Sequence, residues 1–196
     1  MNKINQKYIE QIQTSSDINE HIETLYKYAL ESNNITEMGV RFVSSTWAFL
    51  NANSKKIISY DISYHNKKLI DEVINIAKEY NINYSFVQAD VLNIEIEQTD
   101  LLFIDTLHTY NQLSNELKKH HSKVNKFIIL HDTETFGQVD ELIYAHASDV
   151  IKNTNAFKTG LMNAVNDFLE SENGESWKIK EIFKNNNGLC ILERVS

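Results

Sequence analysis

Two kinds of apolar pattern alternate along this chain. One is helical spacing, with apolar residues returning every three or four positions; the other is a short unbroken run of the kind a strand buried on both faces requires. Helical spacing comes first. Residues 3–13 predict a short helix, and Ile18, Ile22, Leu25 and Ala29 predict a second, running to about Ser32 and opened by the capping-box tetrad Asp17-Ile18-Asn19-Glu20. Strands and helices then take turns: strand 35–40, helix 45–53, strand 56–62, and a helix through Leu69, Ile70, Val73, Ile74 and Ala77. Strands 84–89 and 100–105, a helix from Thr109 through Leu113 and Leu117, and strand 126–130 continue the series. Such alternation specifies a parallel α/β sheet, with the runs Leu101-Leu102-Phe103-Ile104 and Phe127-Ile128-Ile129-Leu130 at its centre.

The last sixty or so residues break the alternation. Helical patterns at 139–152 and 160–171 precede strand 177–183, the turn Lys184-Asn185-Asn186-Asn187-Gly188 and strand 189–194, which together predict an antiparallel hairpin. No repeat, low-complexity tract or linker divides the chain. The expectation is one domain over 1–196, with an N-terminal helical segment (1–33) and a Rossmann-like core (34–196).

Composition narrows the class. A chain of 196 residues with 42% hydrophobic content suits a single core. No run approaches the ~20 apolar residues that span a bilayer, and the N-terminus lacks the apolar region of a secretory signal, so a soluble cytoplasmic protein is expected. The single Cys190 lies in the run Leu189-Cys190-Ile191-Leu192 and is expected to pack in the core. A net charge of −8 without a Lys/Arg stripe argues against a nucleic-acid backbone as partner and favours a small-molecule or glycan substrate.

Candidate chemistry begins at Ile35-Thr36-Glu37-Met38-Gly39, where a strand runs into a glycine turn that opens a helix, with Asp61 24 positions beyond Glu37. A glycine there lets the backbone approach a ligand, and an acid ending the next strand can take both hydroxyls of a ribose. That pattern suits dinucleotide dehydrogenases and S-adenosylmethionine enzymes alike, but a terminal antiparallel pair is not the dehydrogenase arrangement.

With its closing hairpin, the chain resembles the class I S-adenosylmethionine-dependent methyltransferases, whose seven-stranded sheet has the order 3-2-1-4-5-7-6 with strand 7 antiparallel. Three segments narrow the resemblance: Val87-Gln88-Ala89-Asp90-Val91, Phe103-Ile104-Asp105-Thr106-Leu107-His108-Thr109-Tyr110 and Ile128-Ile129-Leu130-His131-Asp132-Thr133. They are similar to segments of the cephalosporin-hydroxylase-like and related small O-methyltransferases, over about four fifths of the chain. The resemblance implies that Glu37 and Gly39 flank the methionine end of S-adenosyl-L-methionine, that Asp61 holds the ribose, and that Asp90 and Val91 contact the adenine. It places Asp105 near the methionine moiety or a metal, and it implies Mg2+ or another divalent ion on Asp105 and Asp132. Absence of proline, where average usage predicts roughly ten, excludes the Pro-Pro motif of the enzymes that methylate DNA amino groups.

Three positions depart from that family, the mildest being Thr106 for the usual glycine after Asp105. Val43 replaces the usual second glycine, and a β-branched residue does not readily adopt positive φ, so either a different turn or weaker cofactor binding is expected, with Ser44 and Ser45 as replacement donors. His131 stands where a second acid often lies, which favours a metal-free mechanism. In that reading His108 is a neutral general base beside Asp105; a purely structural role for His108 in ordering its loop remains open. His120 and His121 read as a solvated helix face, and Trp47, Phe49 and Leu50 as core. The expected activity is methyl transfer to a hydroxyl. Alternatives are a non-catalytic scaffold or regulator with this fold, or a nucleotide-dependent oxidoreductase. Residues 1–33 and 134–160 are expected to cover the acceptor.

Overall fold

A computed structural model describes residues 2–141 and 158–195. Seven strands form one sheet: β1 (Asn34–Met38), β2 (Lys56–Asp61), β3 (Tyr84–Gln88), β4 (Thr99–Ile104), β5 (Val124–His131), β6 (Trp177–Phe183) and β7 (Leu189–Arg194). Their order is β3-β2-β1-β4-β5-β7-β6, with β1 to β5 paired in parallel and β7 antiparallel to both β5 and β6. Sheet order and the reversed seventh strand are those the resemblance implies.

Every residue of β4 is buried, which is why its apolar run is continuous. Leu101 and Phe103 face one helical layer, while Leu102 and Ile104 face the other. The first layer holds α1 (Lys3–Gln13), α2 (Ile22–Leu30), α3 (Ser44–Asn51) and α4 (Lys67–Glu79); the second holds α5 (Tyr110–His120) and α6 (Leu161–Glu170). Fully burying a leucine or phenylalanine contributes about 1.5–3 kcal/mol, so these runs decide which strands are central. Trp47, Phe49 and Leu50 are core residues of the first layer and Cys190 of the second, where burial pushes its thiol up to about 12. No helix among the described residues is long and apolar enough to cross a membrane.

Three local expectations need correction. The capping box at Asp17 does not form: residues 19–21 make a 3-10 turn ahead of α2, neither segment has a side-chain cap, and the Asp17 carboxylate pairs with Arg41 at 3.3 Å. His120 is fully buried and donates through Nε2 to the Val91 carbonyl at 3.0 Å, while half-buried His121 bonds the Leu117 carbonyl. The amphipathic pattern of α5 misleads there because the helix is covered at its end by the loop after β3. Residues 139–141 are not helical, and the rest of the pattern at 139–152 lies outside the described residues.

The β6–β7 turn is a joint as well as a connection. Asn186 and Asn187 adopt φ of 47° and 68°, conformations that asparagine tolerates. The Asn186 side chain bonds Glu20 N and Ser16 O; the Asn187 carbonyl accepts from Glu134 N and Thr135 N. One tight turn thus ties the N-terminal segment to the loop after β5.

Candidate active site

At the carboxyl ends of the parallel strands, a cleft of about 340 Å³ opens between the loops after β1, β2, β3 and β4. Ligands gather at this edge of open α/β sheets because loops of adjacent strands diverge there. A broader depression between α1 and α4 is shallow, and its charges pair with one another as Lys3–Glu79 and Lys67–Asp71.

Gly39 ends β1 on the cleft wall with φ of 86°, and a Cβ there would lie 1.9 Å from the Asp105 carbonyl oxygen. The glycine is therefore required by the crossing of two loops, before any ligand is considered. Asp61 lines the same wall. Its Oδ2 accepts from Val40 N at 2.9 Å and Arg41 N at 3.3 Å, and its Oδ1 from Ser63 N at 3.0 Å, so this carboxylate also fixes the first loop. Val43 adopts φ 60° and ψ 18°, the left-handed conformation a glycine would take, with its side chain buried in the first-layer core. The turn is retained at a cost of about 1–2 kcal/mol, not replaced by another.

Glu37, Ser44 and Ser45 do not line the cleft. Glu37 lies beneath it, fully buried, and accepts from Ser45 Oγ at 2.6 Å, Thr46 Oγ1 at 2.9 Å and Ser59 Oγ at 2.5 Å. Burial outweighs these bonds and pushes its pKa up to about 7. Its alternating position in β1 points it towards α3, so it fastens that helix to the sheet; half-buried Ser44 contributes no wall. Asp90 and Val91 do line the cleft, with Asp90 accepting from Leu92 N and Asn93 Nδ2.

Asp105, His108 and Asp132 converge at the other end of the cleft, as their places after β4 and β5 require. His108 Nε2 lies 3.2 Å from Asp105 Oδ1 and 2.9 Å from Asp132 Oδ2, while Nδ1 lies 2.9 Å from Glu141 Oε2. Phe136 stacks on the ring at a 5.0 Å centroid distance. Burial alone would lower the His108 pKa, but the two aspartates outweigh it and push it up to about 10. Both His108 nitrogens face carboxylates, which favours the protonated ring over the neutral imidazole expected from sequence. Asp105 is correspondingly held down at about 2 against its own burial.

Several participants are not evident from sequence. Glu141 falls in the stretch 139–152, read from sequence only as a helical pattern, with no signal that places it beside His108. Glu116, fully buried in α5, accepts from Thr106 Oγ1 and Gln112 Nε2, both at 2.6 Å, and so braces two residues of the cleft wall. The i, i+4 spacing of Gln112 and Glu116 is the only local signal for that pair.

The donor set at Asp105, His131 and Asp132 fits a divalent cation. One ligand atom from each lies within 4.8 Å of the others. His131 Nδ1 and Asp132 Oδ1 are buried without a hydrogen-bond partner among the described residues. Such orphaned atoms are costly unless something satisfies them.

The sheet order, with its reversed seventh strand, is that of the class I S-adenosylmethionine-dependent methyltransferase fold. No protein-family model and no curated protein sequence matches the chain. Solved structures do. An O-methyltransferase from Bacillus cereus in complex with SAH is 14% identical, with a TM-score of 0.65 over 100% of this chain and 92% of that one. The SAH-bound methyltransferase PaMTH1 of Podospora anserina is 12% identical, with a TM-score of 0.63 over 100% and 89%. The ribosomal protein L11 methylase of Lactobacillus delbrueckii subsp. bulgaricus is 14% identical, with a TM-score of 0.58 over 91% and 80%. At such identities the likeness establishes the fold, and acceptors of different kinds occur within it.

Proposed function

We propose that this chain, acting as a single unit, transfers a methyl group from S-adenosyl-L-methionine to a hydroxyl of a small molecule or glycan. The observation that carries the reading is the side-by-side placement of Gly39, Asp61 and Asp90 on one cleft wall in this fold. Asp61, with oxygen lone pairs left after binding three backbone amides, takes the ribose hydroxyls. Asp90 and Val91 border the adenine, and His120 fixes the Val91 carbonyl from behind. Gly39 and the adjoining loop hold the methionine end beside Asp105.

Bound S-adenosylmethionine supplies a methyl on a positively charged sulfur, so the protein's task is mainly alignment and removal of one proton. The acceptor oxygen attacks in line; the oxygen–carbon bond forms as the carbon–sulfur bond breaks, and the hydroxyl proton leaves to the Asp105 cluster. Both His108 nitrogens are already engaged, so its part is to hold Asp105, Asp132 and Glu141 around the acceptor. Asp105, the more exposed of the two aspartates, receives the proton. It is a weak base. Asp105 and Asp132 could also hold a divalent ion, which would lower the hydroxyl's own pKa and lessen the need for a strong base. Asp17 and Glu141 on the rim agree with an acceptor covered by the N-terminal segment and the region after β5.

Turnover is tested by following release of S-adenosylhomocysteine over a panel of phenolic, aliphatic and sugar hydroxyls, with and without added divalent ion. Hydroxyl-dependent release supports the reading. Release only with amine or thiol acceptors overturns the hydroxyl assignment.

A further inference from the structure

The cluster beside the cleft contains one group that a magnesium site does not use. His131 is 2% exposed, yet its Nδ1 has no hydrogen-bond partner among the described residues and lies 3.5 Å from both Asp105 Oδ1 and Asp132 Oδ1. At that separation a protonated ring would form a long ion pair with both carboxylates, and a neutral one approaches the spacing of two ligand atoms that share an ion at roughly 2.1 Å. Asp132 is divided between two partners. Its Oδ2 meets His108, whereas Oδ1 turns to His131 and is orphaned. Asp132 also has φ of 60°, a conformation that aspartate tolerates better than most residues. A carboxylate in that posture can give one oxygen to an ion and keep the other for His108.

We propose that Asp105, His131 and Asp132 bind a first-row transition ion such as Mn2+, Fe2+, Co2+ or Zn2+ through one imidazole nitrogen and two carboxylate oxygens, in preference to Mg2+. Magnesium is hard and favours oxygen, whereas imidazole suits the later ions. Exchanging an acid for His131 leaves the site with less negative charge and a softer donor, and both changes count against Mg2+. The ion's role in turnover rests on the methyltransferase reading; its binding does not, because the ligands belong to the chain alone.

Metal-depleted protein without cofactor is titrated calorimetrically with Co2+, Mn2+ and Mg2+, and the Mn2+-loaded protein is examined by pulsed EPR for imidazole nitrogen coupling. Expected are one Co2+ site per chain, Mg2+ at least a hundredfold weaker, and nitrogen coupling to Mn2+. His131→Asn offers an amide of similar size with an oxygen donor, and His131→Asp restores a third carboxylate. Either should cut the Co2+ to Mg2+ preference at least tenfold and abolish the nitrogen coupling. If both variants fail to fold, the wild-type EPR spectrum still decides. Equal Mg2+ and Co2+ affinities, a spectrum without nitrogen coupling, or no ion bound by protein that still binds S-adenosylhomocysteine would overturn the inference. Tight Co2+ binding without S-adenosylhomocysteine binding would instead count against the methyltransferase reading and leave the ion site standing.

Discussion

His108 Nε2 stands 2.9 Å from Asp132 Oδ2, so an imidazole from the loop after β4 is bound to a carboxylate from the end of β5. The same nitrogen meets Asp105, and the other meets Glu141. Replacing the ring by a methyl leaves three carboxylates facing one another. His108→Ala should therefore lower stability by about 3 kcal/mol, roughly 6–12 °C in melting temperature for a chain of this size. Turnover should fall about 10²-fold through misplacement of the carboxylates that the imidazole holds, with S-adenosylhomocysteine affinity changed only a few-fold. A melting curve unchanged by the substitution would show that the imidazole does not hold the cluster.

Val43 separates strain from function. Its left-handed backbone favours glycine by about 1–2 kcal/mol, but the buried side chain and the chain entropy that glycine adds weigh more. Val43→Gly should be destabilised by about 1–2 kcal/mol in denaturant titration, with cofactor affinity flat or reduced. A tenfold gain in affinity would mean that the valine crowds the ligand.

The sheet is legible in the sequence because its central strands are buried on both faces, and a continuous run such as Phe127-Ile128-Ile129-Leu130, too short for a helix, suits an interior strand best. Its terminal hairpin is legible from the local Asn-Gly turn, whereas the strand order is what the resemblance to the class I methyltransferases implies. Site residues are legible only as positions. That Asp61 and Asp105 end strands can be read from spacing, but that Glu37 turns inward to Ser45, Thr46 and Ser59 depends on which sheet face α3 covers. The carboxylate setting of His108 escapes a sequence reading for a similar reason: Asp132 and Glu141 reach it from 24 and 33 residues away. Burial of His120 likewise depends on a loop from β3 that the α5 pattern does not encode.

Glu37 makes stability depend on pH in a definite direction. Its folded pKa of about 7 exceeds the ordinary 4.5, so folding favours the protonated acid. The contribution is fully present below about 4.5 and is lost as pH rises through 7. Glu37→Gln keeps the shape and removes the titration. Relative to wild type, the variant should gain stability between pH 5 and 8, by up to roughly 3 kcal/mol. Parallel pH profiles for the two proteins would show that Glu37 is accommodated as a carboxylate by its three hydroxyl donors.

Calorimetric titration with S-adenosylhomocysteine, repeated with NAD and with Asp61→Ala, tests the central claim most directly. Stoichiometric binding of S-adenosylhomocysteine, no competition from NAD, and a loss of roughly 1.5–3 kcal/mol in Asp61→Ala are expected, because the carboxylate supplies charged hydrogen bonds to the ribose. Tight binding of NAD with none of S-adenosylhomocysteine would contradict the account.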